Sequence, residues 1–182
     1  MPEATHRLGA LRDQASDSGA LVGSHDGSGL RIAVACARFN DEITLRLLSG
    51  ALRKLDECGV PPEGRLVTWV PGSFELPLVA AALAGAQDFD AVVCLGAVVR
   101  GETAHFDFVA GQCAAGLQRV QLDTRKPVVF GVLTTETFAQ ALDRSGGSYG
   151  NKGEESIETA IEMVNVLREL SALGATVPST QQ

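Results

Sequence analysis

Ala91-Val-Val-Cys-Leu-Gly-Ala-Val-Val99 runs for nine residues without a charged or hydroxyl-bearing side chain. A strand with one wet face alternates apolar and polar residues. A run without alternation suits a strand covered on both faces, as in a parallel sheet between helices. Three similar runs surround it: Arg31-Ile-Ala-Val-Ala-Cys-Ala37, Arg65-Leu-Val-Thr-Trp-Val70 and Pro127-Val-Val-Phe-Gly-Val-Leu133. Between them the apolar spacing becomes helical. Asn40 or Asp41 is placed to cap a helix whose stripe is Ile43, Leu47, Leu48, Ala51, Leu52 and Leu55, and Gly59 stops it. Pro77, at a first-turn position, opens a second helix with Val79, Ala80 and Leu83; a third starts near His105 with Val109, Cys113, Leu117 and Val120 on one face. Phe138, Ala141 and Leu142 mark a short helix, a Gly-rich turn follows, and Ile157, Ile161, Val164 and Leu167 mark a long one. Strands alternating with helices require right-handed crossovers. They predict an α/β fold: a three-layer, doubly wound, flavodoxin-like four-stranded parallel sheet with flanking helices.

At 182 residues the chain is sized for one domain. We read residues 1–29, rich in Ser, Gly, Asp and Ala, as a flexible tail, 30–172 as the folded domain and 173–182 as a C-terminal tail. A net charge of -7 argues against a broad nucleic-acid surface but leaves room for one or two cations that hold a small anion. Cys36, Cys58, Cys94 and Cys113 have no C-x-x-C spacing and lie in or beside apolar runs, which fits reduced, packed thiols. With no apolar run near membrane-spanning length and no hydrophobic signal core, the expectation is a cytoplasmic protein without membrane contact.

In an open α/β sheet, ligands bind outside the carboxyl ends of the strands. The segments that follow the four strands there are Arg38-Phe-Asn40, Pro71-Gly-Ser-Phe-Glu75, Arg100-Gly-Glu-Thr-Ala-His105 and Thr134-Thr-Glu136, so the polar and aromatic clusters fall on one edge. His105 is the one histidine beyond the tail, the others being His6 and His25. An imidazole exchanges protons near neutrality, and Asp107 or Glu102 is placed to orient it; the plainer alternative is a capping histidine. Glu75 beside Ser73 suits a carboxylate accepting from hydroxyls, or simply favourable charge at a helix N-terminus. Phe39 is either a stacking platform or a core residue. Arg144, ahead of Gly146-Gly-Ser-Tyr-Gly-Asn-Lys-Gly153, suits an anion or an ordinary surface turn. The Gly-rich stretch does not match the nucleoside-triphosphate loop, and no dinucleotide fingerprint follows the first strand. One domain histidine and dispersed cysteines make no metal-ligating set, so no metal is expected.

Taken in order, Phe39-Asn40, Val70-Pro-Gly-Ser-Phe-Glu-Leu-Pro77, Gly96-Ala-Val-Val-Arg-Gly-Glu-Thr-Ala-His-Phe-Asp-Phe-Val109, Pro127-Val-Val-Phe-Gly-Val-Leu-Thr-Thr135 and Gly150-Asn-Lys-Gly153 resemble the 6,7-dimethyl-8-ribityllumazine synthase family over about residues 30 to 170. The resemblance implies the penultimate step of riboflavin synthesis: 5-amino-6-ribitylaminouracil condenses with 3,4-dihydroxy-2-butanone 4-phosphate, with loss of phosphate and water and without a cofactor. It implies that Phe39 stacks on the pyrimidine, that Ser73, Phe74 and Glu75 meet the ribityl chain and its surroundings, and that the backbone of Ala97, Val98 and Val99 lines the pyrimidine's polar edge. It places Glu102 and Thr103 near the phosphate, which Arg144 clamps, and makes His105 the proton shuttle. Phe130, from a neighbouring subunit, and Lys152 complete the pocket. The family assembles as pentamers, some of which build sixty-subunit icosahedral shells. The short connection from Arg144 to Gly150 lacks the insertion that pentamer-only members tend to carry, which favours the shell. In one departure, Gly147-Ser148-Tyr149 stands where Thr-Lys-Ala is more usual, removing a lysine. The rival readings are an archaeal-type riboflavin synthase and a non-catalytic flavin-binding cage.

Overall fold

The computed structural model describes residues 19–175. Most of the two terminal segments read as tails, residues 1–18 and 176–182, lies outside the described residues. The elements follow as β1 (Ile32–Ala37), α1 (Asp41–Glu57), a 3-10 turn (Pro62–Gly64), β2 (Arg65–Val70), a second 3-10 turn (Ser73–Glu75), α2 (Leu76–Gly85), β3 (Ala91–Val99), α3 (His105–Thr124), β4 (Val128–Thr135), α4 (Phe138–Arg144), a small hairpin of β5 (Ser145–Gly147) and β6 (Gly150–Asn151), and α5 (Lys152–Ala172). The main sheet is parallel in the order β2-β1-β3-β4, the doubly wound arrangement expected. The hairpin occupies the place where the sequence indicated only a Gly-rich turn.

Alternation along β1 builds two cores. Ile32, Val34 and Cys36 face one layer, where they pack with Ile43, Leu47, Ala51 and Leu55 of α1 and Ile157 and Ile161 of α5. Ala33, Ala35 and Ala37 face the other, against Leu76, Ala80 and Ala84 of α2 and Cys113 and Leu117 of α3. Burying each large aliphatic chain is worth about 1.5–3 kcal/mol, so the two apolar stripes fix which helices cover which face. Gly116 lets α3 close on α2, because a Cβ there would stand 2.8 Å from the Pro77 ring.

Residues 23–28, read from the sequence as tail, are seated on the domain. Gly27 N–H donates to the Cys58 carbonyl at 2.8 Å, and Asn165 Nδ2 of α5 donates to the Ser24 and Asp26 carbonyls at 2.9 and 3.0 Å. A Cβ on Gly23 would stand 2.4 Å from the Glu162 carbonyl oxygen, so the strap lies directly on α5. Backbone contacts and small residues hold it, which is why a hydrophobic pattern does not disclose it.

Candidate active site

The strand order reverses between β1 and β3, and at such a switch point the loops diverge to leave a crevice at the carboxyl edge. Pairing of β1 with β3 ends at Cys36 and Leu95, whereas β3 continues alongside β4 to Val99 and Thr135. The last residues of β3 therefore form a ledge open on the β1 side. The Ala97 carbonyl points there and accepts from Asn40 Nδ2 at 2.9 Å, while Arg100 N–H points the other way, to the Thr135 carbonyl. Alternation of the backbone places the Val99 N–H and C=O on the open side with those of Ala97.

Asn40, read from the sequence as a possible helix cap, has a different task. It holds the N-cap position of α1 in the left-handed region, φ 61°, but makes no side-chain cap; its Nδ2 donates to the Ala97 carbonyl instead. Asn tolerates this backbone better than most residues. The result turns the chain so that Phe39 stands out from the sheet, 70% exposed, which removes the core reading of that ring. Phe39 N–H also donates to the Pro71 carbonyl at 3.1 Å, tying the loop after β1 to the loop after β2. In that second loop Ser73 is buried, beneath Gly96: a Cβ on Gly96 would meet Ser73 Oγ at 2.6 Å. Ser73 thus seats the turn, and Phe74, exposed, and Glu75, half-buried, stand at its rim. Glu75 holds the N-cap position of α2 without a side-chain cap, so its carboxylate carries favourable charge at that helix N-terminus and remains available as an acceptor.

After β3, Glu102, Thr103 and His105 are all exposed. His105 is the first residue of α3, and Thr103 Oγ1 accepts its backbone N–H at 3.4 Å. Asp107 does not orient the imidazole. Its carboxylate is taken by Arg100 through two bonds of 3.1 and 3.3 Å, and Arg100 also reaches Glu136 and lies 4.0 Å over the Phe106 ring. This locked arginine pins the start of α3 to the end of β4.

The remaining candidates lie elsewhere on the chain. Phe130, Arg144 and Lys152 line a hollow of about 580 Å³ that runs along the uncovered edge of β4 from Pro127 to Thr135, between α3 and α5. Neither Phe39, Phe74, Glu75 nor His105 lines it. Lys152 is paired there with Glu155, whereas Arg144 has no carboxylate partner among the described residues. Its Nη1 donates to the Gln140 carbonyl at 3.1 Å, and its guanidinium lies 4.6 Å over the Tyr149 ring. Among the described residues, no three His, Cys, Asp or Glu side chains gather in a way that would hold a metal ion.

Against this geometry, a family model described as 6,7-dimethyl-8-ribityllumazine synthase matches residues 29–168. The chain belongs to that family. The lumazine synthase of Thermus thermophilus is 57% identical over 143 residues, covering 79% of this chain and 91% of the relative. That of Protochlamydia amoebophila is 50% identical over 79% of this chain and 83% of its own, and that of Edwardsiella ictaluri 54% identical over 78% and 92%. The lumazine synthase model begins at residue 29 and so takes in both candidate clusters. As a member of this family the chain is an enzyme, a transferase of riboflavin synthesis.

Proposed function

We propose that this chain condenses 5-amino-6-(D-ribitylamino)uracil with 3,4-dihydroxy-2-butanone 4-phosphate to 6,7-dimethyl-8-ribityllumazine, releasing phosphate and water. The observation that carries the reading is that Phe39, Glu75, the β3 ledge and His105 all follow the carboxyl ends of strands on one edge of the sheet, in a chain of the lumazine synthase family. The exposed Phe39 ring stacks on the pyrimidine. The N–H and C=O of Val99, beside the backbone of Ala97 and Val98, read its polar edge, while Phe74 and Glu75 meet the ribityl hydroxyls over the buried Ser73. Glu102 and Thr103 stand on the phosphate side, where the first amides of α3 favour an anion.

The amine of the pyrimidine adds to the ketone, and water leaves as the imine forms. A proton then leaves the carbon next to the imine as the neighbouring C–O bond breaks and phosphate departs. Closure of the second ring expels water again. Each step moves a proton, and His105, exposed at the crevice, is the group that carries it. Holding the two reactants together supplies the larger part of the acceleration.

Phe130, Arg144 and Lys152 line a different hollow from His105, so we infer that a neighbouring subunit brings its hollow to this crevice and that the site is completed between two copies. The bare β4 edge and the exposed Leu78, Phe108 and Leu122 support such contacts, since a lone protomer leaves them in water. With the Arg144–Gly150 connection closed into a short hairpin, we propose pentamers that build the sixty-subunit shell, in the cytoplasm, without membrane or nucleic-acid partners. Among the described residues no helix is long and apolar enough to cross a membrane.

Mixing the protein with both substrates and following the lumazine absorbance tests the activity. Consumption of two lumazines to make a flavin identifies the riboflavin synthase instead, and ligand binding without turnover identifies a cage. Sedimentation at the 19.0 kDa of one chain overturns the assembly.

A further inference from the structure

We propose that Tyr149 is a positioning residue for the phosphorylated substrate, its ring serving as the wall that aims Arg144. The inference rests on the reading of Arg144 as the phosphate clamp. An arginine grips an anion through a planar fork of N–H donors, and its long side chain must be ordered before the fork is of use. Here two contacts order it. Nη1 is tethered to the Gln140 carbonyl one turn back in α4, and the central carbon of the guanidinium lies 4.6 Å from the centre of the Tyr149 ring. A ring against the guanidinium takes no hydrogen bond from it, so the N–H groups not held by Gln140 are left for a ligand. No carboxylate competes for that edge among the described residues, in contrast with Arg100 and Lys152.

The hairpin is built to bring the ring back. Tyr149 N–H donates to the Asp143 carbonyl at 3.0 Å, closing the loop onto the end of α4. Gly146 and Gly150, at φ 115° and 72°, supply the reversals on either side. Gly147 lies so close to α4 that a Cβ there would stand 2.7 Å from Asp143 Cα. The ring's place over Arg144 is therefore set by backbone on both sides.

The test compares Tyr149→Ala, Tyr149→Leu, Tyr149→Phe and Arg144→Ala in the intact assembled enzyme. Steady-state kinetics are read with each substrate varied, together with calorimetric binding of inorganic phosphate. A stacked cation at a part-exposed site corresponds to an effect of about two- to fivefold. Tyr149→Ala and Tyr149→Leu are expected to raise the KM for the phosphorylated substrate and weaken phosphate by that factor, with little change in kcat or in the KM for the pyrimidine. Tyr149→Phe, which keeps the ring face, is expected to restore both values. A wild-type KM in Tyr149→Leu overturns the proposal by showing that bulk alone suffices. Unchanged phosphate binding in Tyr149→Ala, while Arg144→Ala loses it, overturns the positioning role and leaves the clamp standing. Unchanged binding in Arg144→Ala removes the clamp, and the proposal with it.

Discussion

His105 stands at the first position of α3, exposed, with Asp107, one candidate to orient it, held by Arg100. A shuttle left to rotate helps less than one held in register. We expect His105→Ala to lower kcat by about 10²-fold, at the low end for positioned proton transfer, with both KM values retained. A loss near the whole rate enhancement in single-turnover assays would show that positioning contributes less than argued. Asn40 gives a second test at this scale. Asn40→Gly keeps the left-handed turn and loses the amide, whereas Asn40→Ala loses the amide and also strains the backbone by about 1–2 kcal/mol. Both variants should lose kcat/KM together, because Phe39 and the ledge are no longer clipped, and in denaturant melts only Asn40→Ala should lose that further stability. The sequence disclosed Phe39, Glu75 and His105 because position after a strand marks them. It did not disclose the Asn40 clip, whose acceptor lies 57 residues away, nor the diversion of Asp107, which depends on where Arg100 turns at the end of β3.

Among the elements, the junction between α1 and α5 has the least slack. Asn151 accepts the Gly153 N–H at 2.8 Å and donates to the Arg46 carbonyl at 2.9 Å, so the start of α5 is tied to α1. A Cβ on Gly153 would lie 2.0 Å from the Leu47 carbonyl oxygen, and one on Gly50 2.4 Å from the Asn151 side chain. Gly150-Asn-Lys-Gly153, which helped to carry the family resemblance, is thus largely an architectural motif. Alanine has the higher helix propensity, so any destabilisation in Gly153→Ala comes from the contact. We expect at least about 2 kcal/mol, read from the denaturant midpoint, since the obstructing atom is helix backbone that cannot rotate aside. The main elements were legible because their apolar period differs by type. The β5–β6 hairpin and the strap at 23–28 were not, since glycine, serine and backbone contacts leave no such period.

For the whole molecule, the thiols link stability to pH. Burial pushes Cys36 up to about 12 and Cys113 to about 11, and raises Cys94 as well, from an ordinary value of 9.0. The unfolded chain therefore loses these protons first as pH rises, and ionisation favours unfolding. Their contribution is fully present below pH 9 and is lost as pH climbs through about 11 to 12. Each thiol steepens the decline by up to about 1.4 kcal/mol per pH unit within its window. Urea melts between pH 8 and 10.5 should show the slope, and Cys36→Ala should flatten it. Equal slopes in the two proteins would show that the Cys36 thiol is not the linked group.

The overhang of β3 past β1 also makes the crevice its own gauge of occupancy. The Val99 amide faces the side where β1 has stopped, while its neighbours on the β4 side are held by strand pairing. In amide hydrogen exchange of the unliganded enzyme it should trade its proton for deuterium far sooner than the amides of Val92 to Leu95. Binding of the pyrimidine alone, without the phosphorylated partner, should slow that exchange, so the first half of the encounter is observable before any bond is made.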